Sequence, residues 1–279
     1  MPEGHTIHRL AARYRSFFAG RAVAVQSPQG RFAAGAAMLD RSVLTDTEAV
    51  GKHLLFTFGG SRTSQHRSGG HTLHIHLGLY GKFSDGPTPA PPVVGEVRLR
   101  VIGPDHWLDL RGPAACELLT PAEVEALRDR LGADPLRDDA VGADAFARIG
   151  RSPTPITQLL LNQEIVAGTG LIFVTEALFR ARIHPLTPGR SISAAQWDEI
   201  WADLRALMKP AVVAGRIDTV RAEHLPEAMG RPPRVDRHGG EVYAYRRAGQ
   251  PCLICGTAIA SGTLGGRNLY WCPSCQRPG

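Results

Sequence analysis

Lysine is nearly absent. Of 32 basic residues in this 279-residue chain, only Lys52, Lys82 and Lys209 are lysines. Arginine keeps its proton at any physiological pH and lysine can lose it, so these three positions stand out. Long apolar runs are also missing. None approaches the roughly 18 residues of a membrane span, which excludes a transmembrane helix. The N-terminus lacks the charged-then-apolar leader of a secreted chain. No internal repeat is visible, which argues against a repeat array. Cysteine is scarce until the end, where four of the five fall in the last 28 residues. These absences lead to the expectation of a soluble chain in the cytosol with no membrane partner.

What is present suits a folded, multi-part protein. The apolar fraction of 43% suffices for a real core, and the length fits one large domain or two modest ones with a small module. The net charge is +6 and the pI about 9.4. The surplus is uneven. Residues 1–120 carry 13 basic against 9 acidic side chains, residues 121–215 carry 10 against 12, and residues 216–279 carry 9 against 5. Two basic ends around a balanced middle suit a polyanionic partner.

Along the chain, Ile7, Leu10, Ala11, Tyr14, Phe17 and Phe18 recur at helical spacing up to Gly20. Alternating stretches follow: AVAVQ, KHLLFTF, HTLHIHLGLYGKF, EVRLRVIG and HWLDL, separated by the loops SRTSQHRSGG and DGPTPAPPVVG. The pattern turns helical near TPAEVEALRDRLGADPL and stays so to about residue 215; a polar connector then leads to the cysteines. The expected organisation is α+β and multidomain: a β-rich unit with one leading helix over 1–118, a helical part over 119–230, and a small module over 243–277.

Cys252, Cys255, Cys272 and Cys275 form a C-x2-C-x16-C-x2-C pattern. Two such turns close a tetrahedron around one Zn²⁺, and four protein ligands leave no open position, so this zinc is structural. A segment so short depends on the metal for much of its stability. Between the pairs, SGTLGGRNLYW reads as a glycine-rich hairpin with Arg267 at its tip, suited to a phosphate. Cys116 reads as a small buried residue.

In the helical part, RSPTPITQLLLNQEIVAGTGLIFVTEALFRARIHP reads as a helix from Ile156 to Ile165, a turn at 167–170, and a helix from Leu171 to Ala181. Gly168 and Gly170 let backbone approach a ligand, and the second helix offers N–H groups to a phosphate. His71, His74 and His76 share one strand, with His74 and His76 on one face; the pattern is read as half-buried strand histidines, not as a second metal site.

The Pro2-Glu3 start, the GKHLLF strand, the LLLNQEIVAGTG…EALFRARIHP hairpin and the YWCPSCQ zinc hairpin together resemble the Fpg/Nei family of bacterial DNA glycosylases. The resemblance covers nearly the whole chain. MPEG, HLGLYG and YWCPSCQ look closer to the endonuclease VIII branch, which typically removes oxidised pyrimidines. It implies a β-sandwich domain, a helix–two-turns–helix domain and a zinc finger, damaged DNA as partner, and a monomer at the bacterial nucleoid. It implies removal of Met1, a nucleophilic Pro2 amine, Glu3 as general acid–base, Lys52 assisting β-elimination, and Arg267 gripping a lesion-flanking phosphate. Leu79 and Tyr80 would fill the gap left by the extruded base, and Arg130, His76, Gly168 and Gly170 would contact DNA. Three departures accompany it. His5 and Thr6 replace a second Pro-Glu, Leu171 replaces the asparagine of the family's glycine turn, and Gly78 stands where the branch offers a glutamine.

Overall fold

The computed structural model describes residues 2–59, 71–236 and 240–278. The loop expected at 61–70 and the removal of Met1 lie outside them. The chain divides into two compact units, Met1–Arg130 and Leu131–Gly279. The architecture is α+β, with sheets in the first unit and helices followed by a zinc hairpin in the second.

The first unit opens with α1 (Gly4–Phe18), whose Ile7, Ala11, Tyr14 and Phe18 form one buried stripe. Two antiparallel sheets follow. One has five strands in the order β1 (Arg21–Ala22), β3 (Val43–Val50), β4 (His53–Phe58), β5 (His71–His76) and β9 (Ala115–Leu119). The other has four: β2 (Ala24–Gln26), β7 (Leu99–Ile102), β8 (His106–Arg111) and β6 (Lys82–Pro87). Leu54, Phe56, Leu73 and Ile75 of the first sheet meet Val101, Leu108 and Leu110 of the second and the α1 stripe in one apolar core. Alternation along the strands supplies this face. One buried ion pair crosses the second sheet, Arg100 to Asp109 at 2.7 and 2.9 Å.

Two elements of this unit lack a strong local signal. The helix α2 (Ala33–Leu39) is a short alanine-rich segment, held by burial of Ala36 and Leu39. The strand β9 pairs with β5 across 39 to 47 residues of sequence. The stretch HTLHIHLGLYGKF is not one strand; β5 ends at His76 and β6 begins at Lys82, with a turn over 77–81. The unit closes with α3 (Pro121–Arg130), started by a reciprocal cap. Thr120 N–H donates to Glu123 Oε2 at 2.8 Å and Glu123 N–H donates to Thr120 Oγ1 at 3.3 Å.

The second unit contains α4 (Gly142–Ile149), α5 (Ile156–Leu161), α6 (Leu171–Arg180), α7 (Ala194–Ala214), α8 (Pro226–Met229) and the hairpin β10 (Ala260–Leu264) to β11 (Arg267–Trp271). Its core brings Leu160, Val166, Phe173, Leu178, Leu204 and Met208 together. The helix expected to run to Ile165 stops at Leu161. The apolar pattern continues through Ile165 and Val166, but side chains capture the backbone. Asn162 Oδ1 accepts from Glu164 N–H at 3.0 Å, and Gln163 Oε1 accepts from Gly168 N–H at 3.0 Å. The Gln163 amide also donates to Thr169 O at 3.0 Å. Such bonds compete with helical ones and bend the chain into its second turn.

Glu176 of α6 is fully buried and organises the approach to the zinc hairpin. Its carboxylate accepts from Thr219 Oγ1 and Tyr243 N–H, both at 2.6 Å, and from Ala244 and Tyr245 N–H at 2.9 and 2.8 Å. Glutamine would turn an amide N–H₂ toward these donors. Glu176→Gln is therefore expected to lower unfolding free energy by about 3 kcal/mol, as a reduced urea midpoint at unchanged slope. An unchanged midpoint would show that these bonds contribute nothing net.

Candidate functional site: an N-terminal proline, a histidine cluster and a zinc hairpin

Pro2 is half-buried and lies directly before Glu3, the N-cap residue of α1. Glu3 is 2% exposed and its side chain makes no capping bond. Its carbonyl instead accepts from Thr6 N–H at 2.9 Å, and its extended backbone (φ −109°, ψ 174°) turns the chain into the helix. The first turn of α1 from Gly4 on holds no acidic residue, so the one acid at this helix end is Glu3 at the N-cap. His5 is buried, and burial, aided by the Arg9 charge, pushes its pKa down to about 4. It is therefore neutral at physiological pH and adds no charge at this start. Thr6 is half-buried, with Oγ1 3.3 Å from His5 Nε2.

Lys52 is not on a strand. It occupies, with Gly51, the two-residue turn between β3 and β4, where Val50 pairs with His53. In register, His53 faces His76 across β5, and His74 faces Glu117 across β9. Alternation then puts His53, His74, His76 and Glu117 on one face of the sheet. His53 Nδ1 lies 2.8 Å from His74 Nε2, and His74 Nδ1 lies 3.0 Å from Glu117 Oε1. The His53 and His76 rings are 4.9 Å apart. Burial first, then neighbouring His74, His76, Arg130 and Lys52, pushes the His53 pKa down to about 3. Burial, His74 and Lys52 also lower that of His76. His76 and Arg130 thus both belong to the surroundings of the Lys52 turn, and Arg130 is exposed at the end of α3.

Leu79 and Tyr80 sit in the 77–81 turn and are 64% and 84% exposed. Large apolar side chains held out in a tight turn are available to an external partner. Gly78 before them has φ +63°, and a Cβ there would lie 2.8 Å from Ala114 Cβ. The backbone and the neighbour both exclude a side chain at that position.

In the second unit, Gly168 (φ +81°) and Gly170 are buried in the turn that leads into α6, with Gly170 its N-cap. Leu171 is half-buried and packs on the core. Arg267 is exposed at the first position of β11, one residue past the hairpin tip. The tip itself is Gly265-Gly266, both at positive φ (56° and 74°), as a two-residue turn requires. A cavity of about 280 Å³ lies between this hairpin and α5, lined by Gln158, Asn162, Gly265 and Arg267 among others.

The four thiols converge. All Sγ atoms of Cys252, Cys255, Cys272 and Cys275 lie within 4.8 Å of one another, with pairs at 3.5 and 3.9 Å. A tetrahedral Zn²⁺ with Zn–S near 2.3 Å needs S···S edges of about 3.8 Å, so the donor set fits. Ile254 and Cys275 N–H groups donate to Cys252 and Cys272 Sγ at 3.4 Å. The group holds one structural zinc. Cys116, half-buried against the core of the first unit, has its thiol pushed up to about 12 by burial and takes no part.

Fold and site together define a DNA glycosylase of the three-part, zinc-hairpin type. The sequence matches the formamidopyrimidine-DNA glycosylase N-terminal domain over residues 1–113 and the H2TH domain of the same enzymes over 131–222. It also matches the zinc finger found in FPG and IleRS over 249–278. The chain belongs to the formamidopyrimidine-DNA glycosylase family. It is 45% identical to Endonuclease 8 1 of Mycobacterium tuberculosis (strain ATCC 25618 / H37Rv) over 283 residues, covering 99% of this chain and 100% of the relative. It is 29% identical to formamidopyrimidine-DNA glycosylase of Thermus thermophilus, covering 100% of both chains. Its fold matches that of Lactococcus lactis Fpg bound non-covalently to DNA containing an AP site. That match has TM-score 0.78 and 20% identity, over 99% of this chain and 100% of the other. Among the described residues no helix is long and apolar enough to cross a membrane.

Sequence reasoning did not single out His53 or Glu117. Their one sequence signal is the alternating pattern, which places a residue on a face but not beside a given partner.

Proposed function

We propose that this chain is a bifunctional DNA glycosylase and AP lyase of base excision repair, with oxidised pyrimidines favoured. The observation that carries the reading is the buried Glu3 that directly follows Pro2 at the start of α1. With Met1 removed, Pro2 bears an α-amine. Such amines titrate near 7.7–8.0, and the adjacent positive helix end lowers that further. A fraction is then neutral and nucleophilic at physiological pH.

The Pro2 nitrogen attacks C1′ of the damaged nucleoside and the base departs. Glu3 gives a proton to the ring oxygen as the sugar opens. A secondary amine can form only a charged iminium, which draws electrons from C2′. Loss of the C2′ proton then expels the 3′ phosphate, with Lys52 as proton-transfer partner. Arg267, exposed on the zinc hairpin, grips the flanking phosphate and assists δ-elimination. Leu79 and Tyr80 occupy the gap in the stack, as base chemistry requires the target to be extruded. His76 and Arg130 beside the Lys52 turn, and Gly168 and Gly170 before α6, make further DNA contacts. In this reading residues 1–118 carry the chemistry, 119–230 and 243–277 bind DNA, and the protein is a cytoplasmic monomer at the nucleoid. The pyrimidine preference rests on the likeness of MPEG, HLGLYG and YWCPSCQ to the endonuclease VIII branch.

The test uses duplexes carrying an abasic site, an oxidised pyrimidine or an oxidised purine, with borohydride present. A trapped adduct on abasic DNA is expected, with pyrimidine-lesion cleavage at least about tenfold faster than purine-lesion cleavage. Binding with no adduct on any duplex would leave a zinc-finger binding protein. Faster purine cleavage would overturn the substrate class alone.

A further inference from the structure

The cavity between the zinc hairpin and α5 is walled by donors from two elements. Gly265 and Arg267 line it from the hairpin, Gln158 and Asn162 from the helix, and no acidic side chain lines it. Gln158 lies on α5 and Asn162 is its C-cap, one turn further on. Asn162 Oδ1 accepts from Glu164 N–H at 3.0 Å. Only an oxygen can take that bond, so the side chain has one orientation and its NH₂ is the end available to a ligand. Gln158 reaches the hairpin tip, since a Cβ added to Gly265 would lie 3.4 Å from Gln158 Nε2. Thr157 also lines the cavity, but its hydroxyl is committed to Pro185 O at 2.8 Å. Leu161, Leu264 and Leu269 complete the lining. Apolar walls keep water off a bound group and strengthen the hydrogen bonds it receives. The glycine turn before α6 offers less. Ala167 N–H is taken by Ala133 O and Gly168 N–H by Gln163 Oε1, both at 3.0 Å, and the Leu171 side chain carries no donor.

We propose that Gln158 and Asn162 are DNA-binding residues that complete a phosphate seat with Arg267: their side-chain NH₂ groups and the guanidinium take one backbone phosphodiester of the bound duplex between them. This rests on the phosphate role proposed above for Arg267. A guanidinium on a long side chain beside a hairpin tip grips a phosphate without fixing its place. Donors on the facing helix hold the same phosphate from a second side, and the strand then has one position. The charge suits this ligand class. Two neutral amides and one guanidinium offer a single positive charge, which matches a phosphodiester. A terminal phosphate monoester would bring a second negative charge that nothing lining the cavity meets.

The experiment measures the affinity of the full-length zinc-loaded protein for duplexes carrying a stable abasic-site analogue. One phosphate at a time around that site is replaced by a neutral methylphosphonate. The unaltered protein is expected to lose about tenfold at the phosphate Arg267 grips, the scale of hydrogen bonds to a charged group, and Arg267→Ala to lose little more there. Asn162→Asp keeps the oxygen that accepts from Glu164 N–H, so the end of α5 is preserved, but exchanges the donor for an acceptor. Gln158→Glu makes the same exchange at the other wall. Each is expected to weaken binding to native duplex about tenfold. Each penalty should shrink to within about threefold on the one duplex whose methylphosphonate marks the Arg267 position, and persist on the others. Unaltered affinity in one variant would remove that residue from the seat, and in both would overturn the inference. So would a penalty of equal size on every methylphosphonate duplex, because that is the signature of added negative charge or disturbed folding and not of a seated phosphate. A scan in which Arg267→Ala couples to no position would instead sink the phosphate role of Arg267 itself, and the seat with it.

Discussion

Protein carrying an extra residue ahead of Pro2, or an acetyl group on its nitrogen, will form no borohydride-trapped adduct with abasic-site DNA. Its strand cleavage is expected to fall at least about a thousandfold, the scale of losing a nucleophile. An amide nitrogen has its lone pair delocalised into the carbonyl and cannot attack C1′. The fold gives no reason for the cap to act otherwise. Pro2 precedes the N-cap of α1, whose stability comes from the buried stripe Ile7, Ala11, Tyr14 and Phe18 and not from its first residue. Melting temperature should therefore be unchanged, and DNA affinity should hold to within about threefold, since phosphate contacts dominate it. Mass spectrometry of the purified chain identifies the capped and uncapped forms before the assay. Undiminished adduct from fully capped protein would transfer the nucleophile to another amine, with Lys52 the first to examine.

Removing the zinc is the second large effect. The module around it has little core of its own. Its buried cluster comprises Phe179, Tyr243, Ala244, Cys252, Ile259 and Cys272, so two of six members are the metal's own ligands. Metal binding by such small modules is worth roughly 10–16 kcal/mol, more than that cluster can replace. Chelation is expected to leave the α4–α7 core folded, because none of its buried members lies on the hairpin, of which Tyr270 packs against its edge. Amides of β10 and β11 should lose their exchange protection while those of α6 and α7 keep theirs. With the hairpin unfolded, Arg267 is no longer presented by a paired strand. Cleavage of abasic DNA should drop at least about a hundredfold and recover on adding Zn²⁺. Full activity in metal-free protein with the hairpin exchanging freely would remove Arg267 from the mechanism.

Legibility varied with the range of the interactions. The cysteine spacing identifies its own metal, because each C-x2-C turn is local and the pairing of two turns needs no further information. The α1 stripe and the capping box at Thr120–Glu123 are equally local. The end of α5 is not, because the apolar period runs on to Val166 while Gln163 folds back on Gly168 and Thr169. Leu79 and Tyr80 looked like part of one long alternating stretch. Their exposure follows from the turn that Gly78 permits.

The sequence alone determined the order of the parts, the zinc ligands, the apolar faces of the main elements and the presence of Pro2 and Glu3 at one end. Tertiary structure alone decided that Glu3 is buried, that Glu176 meets four donors, and that His53, His74 and Glu117 line up. Those three residues sit on strands 21 and 43 positions apart. A period of two fits every even register equally well, so only the pairing of β4, β5 and β9 places those side chains in one chain.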